Sequence, residues 1–128
     1  MSAMSDYLEN KVLDHILATT SYTAPATVYV GLSTGAFGDD NSGTELAGSG
    51  YGRVAASFGA ASSGTASNDA AIEFSAATGS WGTVSHFGLF DASTSGNLLI
   101  HGALTSNKVI ETGDILKVAI GDMDISAD

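Results

Sequence analysis

The spacing of hydrophobic positions changes once along the chain, from a helical period to an alternating one. In SDYLENKVLDHILATT, Leu8, Val12, Leu13, Ile16 and Leu17 fall at i, i+4, i+5, i+8 and i+9, which makes a single apolar stripe on a helix. Ser5 is placed to cap its start, Asp6 and Glu9 suit the positive end of the helix dipole, and no Gly or Pro interrupts it. The pattern predicts a helix over residues 5–20, ended by Thr19, Thr20 and Pro25. Its stripe has two candidate uses: packing on the chain's own sheet, or facing a neighbouring subunit.

After Pro25 the period becomes two. TVYVGLS sets Val28, Val30 and Leu32 on one face and Tyr29 and Gly31 on the other, a strand. Residues 34–52 then hold Gly, Asp, Asn and Ser with little periodicity, a long loop of the kind that is uncommon in a compact domain and often functional. Phe37 and Leu46 are placed to pin it down. RVAASF and AAIEFSAA read as short strands separated by a small-residue turn region, and SWGTVSHFGLFDA pairs with LLIHGALT across the turn STSGN as a hairpin. A second hairpin is expected from Lys108–Ile110 through ETGD into ILKVAI, and the tail GDMDISAD is a candidate edge strand. The chain therefore reads as one domain over residues 1–128, mainly β. It is an antiparallel β-sandwich or partial barrel of about seven short strands, residues 26–126, with one N-terminal amphipathic α-helix.

Composition changes this picture in one respect. Ala, Ser, Gly and Thr make up 64 of the 128 residues, while Leu, Ile, Val and Phe make 29. Small side chains bury little area each, so a lone subunit gains disproportionately from a partner surface. Trp81, Phe87 and Phe90 are expected to supply most of the core. Charge narrows the partners: the formal net charge is −10, and the four basic residues Lys11, Arg53, Lys108 and Lys117 form no patch in sequence. Nucleic acid and anionic membrane surfaces are excluded as partners on that ground, and no apolar run approaches the ~20 residues of a spanning helix. No basic-then-apolar opening is seen, so no signal peptide is expected and synthesis is assigned to the cytoplasm. With no cysteine there is no disulfide and no thiolate chemistry.

Candidate chemistry is thin. A hairpin register that opposes Leu89 to Ile100 sets His86 and His101 diagonal on one face, with Asp91 nearby. Hydrogen-bonded structural histidines, a divalent metal site and a pH-sensitive pair are the three readings of that pair. Asp39, Asp40, Asn41 and Glu45 in the loop, and Asp122, Asp124 and Asp128 in the tail, are solvated acidic groups or weak calcium ligands between subunits, without the spacing of an EF-hand loop. No G-x-S-x-G elbow and no phosphate-binding loop is present. The reading is of no enzyme, no cofactor and no resident metal.

Two stretches, YLENKVLDHILATTSYTAPATVYVGL and SNDAAIEFSAATGSWGTVSHFGLFDASTSGNLLIHGAL, resemble a family of small tailed-bacteriophage virion proteins, often labelled tail fibre proteins. Some members of that family look like head decoration (cement) proteins. The resemblance spans residues 7–125, and its most specific pieces are LENKVLDHIL, APATVYVGL, W-G-x-V-x-H-F-G-x-F-D-A and G-N-L-L-x-H-G-A-L. It implies a virion structural protein with no catalytic residue. The first expectation is a decoration protein on the outer capsid surface. Such a protein would form a symmetric homo-oligomer such as a trimer and bind the major capsid protein across capsomer joints. The alternative is a fibre or baseplate component bound to tail proteins and contacting the host surface. A third reading is a carbohydrate-binding sandwich with Trp81, Tyr29 or Tyr51 as a stacking platform. The expected contact residues are Leu8, Val12 and Ile16 on the helix and Phe37, Leu46 and Tyr51 in the loop.

Overall fold

A five-stranded antiparallel sheet carries most of the molecule, in a computed structural model that describes residues 2–127. In chain order the elements are β1 (Ser2–Met4), α1 (Asp6–Ile16), β2 (Val28–Ser33), β3 (Val54–Ala56), β4 (Thr65–Ser67), β5 (Ile72–Glu73), β6 (Gly82–Phe90), β7 (Leu98–Ile110), β8 (Lys117–Val118) and β9 (Asp124–Ser126). The main sheet runs β1-β7-β6-β2-β3, and two ribbons, β4-β9 and β5-β8, lie apart from it. Among the described residues the fold is mainly β, antiparallel and sandwich-like, with one helix near the N-terminus and no closed barrel.

Alternation explains where the core sits. Val30 and Leu32 on β2 and Phe87 and Leu89 on β6 point to one face, where they pack with Ile72, Phe74, Leu116 and Met123 from the ribbon side. Trp81 and Phe87 belong to this core, whereas Phe90 lies in a second cluster with Phe37 and Leu98. Aromatic rings fill the space that small residues leave, with Tyr51 and Phe74 stacked on each other and both edge-on to Trp81.

Three expectations are corrected. The described residues hold nine strands rather than about seven. Ser2–Met4 pairs with β7 and Thr65–Ser67 with β9, although three residues carry no readable alternation. The helix ends at Ile16 rather than at residue 20, because Ala18 turns left-handed (φ 61°) and the Thr19 and Thr20 amides fold back onto the Asp14 carbonyl. The second hairpin does not form, since β8 pairs with β5 (Ile72 opposite Val118, Glu73 opposite Lys117) and not with the end of β7. The turn at 111–114 instead carries the chain from one layer to the other, tied by the Gly113 amide to the Ala77 carbonyl at 2.7 Å, and this lets Ile110 and Leu116 both be buried.

Candidate functional site

The segment between β2 and β3, residues 34–53, folds back over the second face of the main sheet, and two glycines make room for it. Gly31 on β2 stands directly opposite Gly88 on β6. A Cβ at Gly31 would lie 2.8 Å from the Glu45 carboxylate and 2.9 Å from the Phe90 ring, and one at Gly88 would lie 2.9 Å from Leu98. A side chain at either position would push the loop off the sheet. Phe37 fills the resulting hollow, edge-on to Phe90 at 5.9 Å between ring centres.

Arg53, the chain's single arginine, clasps the loop. Its Nε and Nη2 donate to the two Glu45 oxygens at 2.8 and 2.7 Å, and its Nη1 donates to the carbonyls of Ala92 (2.8 Å) and Ser95 (2.7 Å). The guanidinium carbon lies 3.6 Å from the centre of the Phe90 ring. Tyr51 completes the arrangement by donating its hydroxyl to Glu45 Oε2 at 2.6 Å and accepting the Leu32 amide at 2.9 Å. Burial, reinforced by the Glu45 carboxylate, pushes the Tyr51 phenol well above its ordinary pKa. At the neighbouring turn, partial burial pushes the Asp91 carboxyl up. The Asn97 backbone amide and side chain, at 2.7 and 3.0 Å, together with the Arg53 charge outweigh it, so the net displacement is downward. Every charge in the clasp is answered from within the chain, which fits a structural lock and leaves no group poised for proton transfer. Sequence reasoning missed it; the available signal was a lone arginine following a loop with one glutamate.

The six expected contact residues therefore part company. Phe37 is buried, and Leu46 and Tyr51 are half-buried against the core. On α1, Leu8 and Val12 are half-buried, whereas Ile16 is 71% exposed, with Leu13 at 55% and Leu17 at 70% beside it. No residue of α1 is fully buried. The helix is held by its first turn: the Ser5 amide donates to the Leu99 carbonyl at 2.8 Å and the Ser5 hydroxyl to the Leu98 carbonyl, while the same oxygen caps the Leu8 amide at 3.2 Å.

The histidines lie in the diagonal register, with Leu89 opposite Ile100, Gly88 opposite His101 and His86 opposite Ala103. Each has its own partner: His101 Nε2 pairs with Asp39 Oδ1 at 2.7 Å and His86 Nδ1 with the Ser85 hydroxyl at 2.7 Å. Glu45 is committed to Arg53 and Asp124 to the Ser67 hydroxyl, while hydrogen bonds from Ser42 hold the Asp40 carboxyl below its usual pKa. Asp128 lies outside the described residues. Among those described, no three His, Asp or Glu side chains gather as a metal would require, and no helix is long and apolar enough to cross a membrane.

Of the three expected stacking rings, Tyr29 is half-buried on β2, and the other two are taken up inside the fold. Trp81 is 6% exposed, with its indole nitrogen donating to the Ser49 carbonyl at 2.9 Å, and Tyr51 is enclosed in the clasp. Trp81 therefore presents no open ring face to a sugar.

What the described residues leave in solvent is the apolar end of the α1 stripe, Leu13, Ile16 and Leu17. No curated protein matches the chain. A family model described as podophage GP4 fiber I protein gp80 matches residues 3–126, nearly the whole length, and the chain belongs to that family.

Proposed function

We propose that this chain is a non-enzymatic structural component of a podophage tail fibre or of the parts that carry it, joined to its virion partners through the exposed face of α1. The family match carries the reading, because its description is that of a fibre protein. It favours the tail over decoration of the head, the first expectation from sequence; both locations ask for the same rigid β-domain with a partner surface.

The attachment rests on α1. An isolated helix shorter than about 12–15 residues is marginal in water, and this one has 11, anchored at one end. Its other end presents Leu13, Ile16 and Leu17 to solvent. Full burial of each such side chain contributes about 1.5–3 kcal/mol, so a partner covering the three would stabilise both the contact and the helix. A tail protein or a second copy of the chain in a symmetric oligomer would serve.

The test is to separate virions into heads and tails and quantify the chain in each by mass spectrometry against the major capsid protein. Low copy number confined to tails is expected. Abundance in heads near that of the capsid protein would restore the decoration reading, and absence from both fractions would overturn a virion role.

A further inference from the structure

The exposed face of α1 is longer than its apolar end. Asp6, Glu9, Asn10, Leu13, Ile16 and Leu17 fall at i, i+3, i+4, i+7, i+10 and i+11, the spacing of one helical face, and all six are exposed. The side that packs toward β1 and β7 carries Leu8 and Val12, both half-buried. Along the exposed face the chemistry divides. Two carboxylates and an amide occupy the N-terminal half, and three large apolar side chains the C-terminal end. Among the described residues neither Asp6 nor Glu9 forms an ion pair. Acids suit the first turn of any helix, but the dipole does not require them to share a face with exposed apolar residues.

This division discriminates between occupants, and a second copy of the chain fits badly. Parallel helices about a symmetry axis would set Asp6 and Glu9 against the same residues of the other copy. Antiparallel helices overlapping along their length would lay those carboxylates on the apolar side chains of the facing helix. Like charges repel, and a carboxylate pressed onto apolar surface loses its water, so both arrangements are costly. A contact confined to the three apolar side chains of each copy avoids both costs but is far smaller than the roughly 20–30 residues a side of a stable interface. The rest of a second copy offers little to answer the carboxylates. Of the four basic residues, Arg53 is held in the clasp, Lys11 lies over the Tyr7 ring at 5.6 Å, and Lys117 stands opposite Glu73, which leaves Lys108 in a chain of net charge −10.

We propose that the exposed face of α1 lies in a groove of a different virion protein. The groove is apolar where it meets Leu13, Ile16 and Leu17, and lined by lysine or arginine where it meets Asp6 and Glu9. This names the chemistry of the partner for the attachment proposed above, and it rests on that reading. A helix laid in a groove is anchored by side chains one and two turns apart on one face, as these are. The apolar end supplies the affinity. The charged end fixes which way along the groove the helix points and speeds its capture.

The experiment supplies an Asp6→Lys, Glu9→Lys double variant alongside the native chain during infection and measures their ratio in purified virions by mass spectrometry. The double variant is expected to be incorporated at least about tenfold less than the native chain, and Asp6→Asn, Glu9→Gln by an intermediate factor. Asp14→Lys, exposed on the same helix but off this face, should leave incorporation unchanged. The far-UV spectrum and urea midpoint check that each variant is folded, and Glu9→Lys alone serves if the double variant is not. Normal incorporation of the folded charge-reversed chain, or an equal loss with Asp14→Lys, would overturn the proposal. So would a dimer or trimer of the purified native chain, seen by analytical ultracentrifugation, that Ile16→Asp dissociates, because it would give this face to a second copy. If Ile16→Asp is excluded from virions while the charge-reversed chain enters normally, attachment through α1 stands and the basic groove falls. If both enter normally, the attachment itself falls.

Discussion

Two segments lie outside the regular sandwich, the loop of residues 34–53 and helix α1, and they treat their apolar residues in opposite ways. The loop turns Phe37 inward to 5% exposure and locks itself with the Arg53–Glu45–Tyr51 clasp. The helix leaves Leu13, Ile16 and Leu17 between 55% and 71% exposed and is fastened by hydrogen bonds at its N-terminal turn and by half-buried Leu8 and Val12. A glycine- and aspartate-rich loop is thus internally satisfied, while an element with good capping and a regular stripe is not. Surface chemistry alone would assign the loop to partners and the helix to the core. Satisfied polar groups and buried apolar ones instead tie the loop to the body of the domain, while the end of the helix stripe stays in solvent.

The largest expected effect comes from emptying the loop's hollow. Phe37 packs against Phe90 and Leu98 in a cluster separate from the main core, so little can move in to fill its space. Phe37→Ala is expected to cost about 3 kcal/mol, the lower end of the range for such truncations, as a fall in the urea midpoint with an unchanged slope. A loss below 0.5 kcal/mol would mean that the loop is not held by packing.

Next in size is the clasp. Arg53→Met keeps much of the volume but leaves the Glu45 carboxylate with Tyr51 alone. Breaking a buried pair in this way typically costs ~3–5 kcal/mol. The Glu45 side chain is 24% exposed, so water recovers part of this and about 2 kcal/mol is expected. Arg53→Lys should recover only a minor share, because one ammonium cannot span both Glu45 oxygens and the carbonyls of Ala92 and Ser95. Full rescue by lysine would show that charge, and not the fork, matters.

A smaller, pH-dependent effect belongs to Asp91 beside the clasp. Its folded pKa lies below the ordinary value, so the native state binds a proton less readily than the unfolded chain. Its contribution is therefore present above about pH 4 and is lost as pH falls through the depressed folded value. Urea midpoints between pH 5 and pH 2 should fall less steeply for Asp91→Asn than for the native chain, with the two curves converging at the acid end. Parallel curves would remove Asp91 from the account.

How much of this was legible follows from what each feature depends on. The helix start at Ser5 and the faces of β2 are local, and the sequence pattern carries them; the β6–β7 hairpin is local too, but its register was one of those the pattern allowed. The partners of Ser2–Met4 and of β8 depend on contacts about a hundred and about fifty residues away, and β1, β5 and β8 are stretches of two or three residues with no periodicity of their own. The clasp was illegible for a related reason. Its glycines at 31 and 88 meet only once β2 and β6 are paired, and only then does a carboxylate from the loop have a place to lie.

The least costly change is the one that bears most on function. Ile16→Asp alters a side chain that is 71% exposed in the last turn of α1, so its direct effect on packing is small. An acidic group near a helix C-terminus is mildly unfavourable, and the expected loss of stability is about 0.5 kcal/mol. If the helix is turned out toward a partner, the same substitution places a charge in an apolar contact and should abolish incorporation of the chain into virions, measured by mass spectrometry of particles carrying the variant. The matched substitution Thr34→Asp, at an exposed position in the loop segment, should leave incorporation unchanged. Normal incorporation of a folded Ile16→Asp chain would mean that the two segments differ only in how they are packed, and the partner surface would have to be sought elsewhere on the molecule.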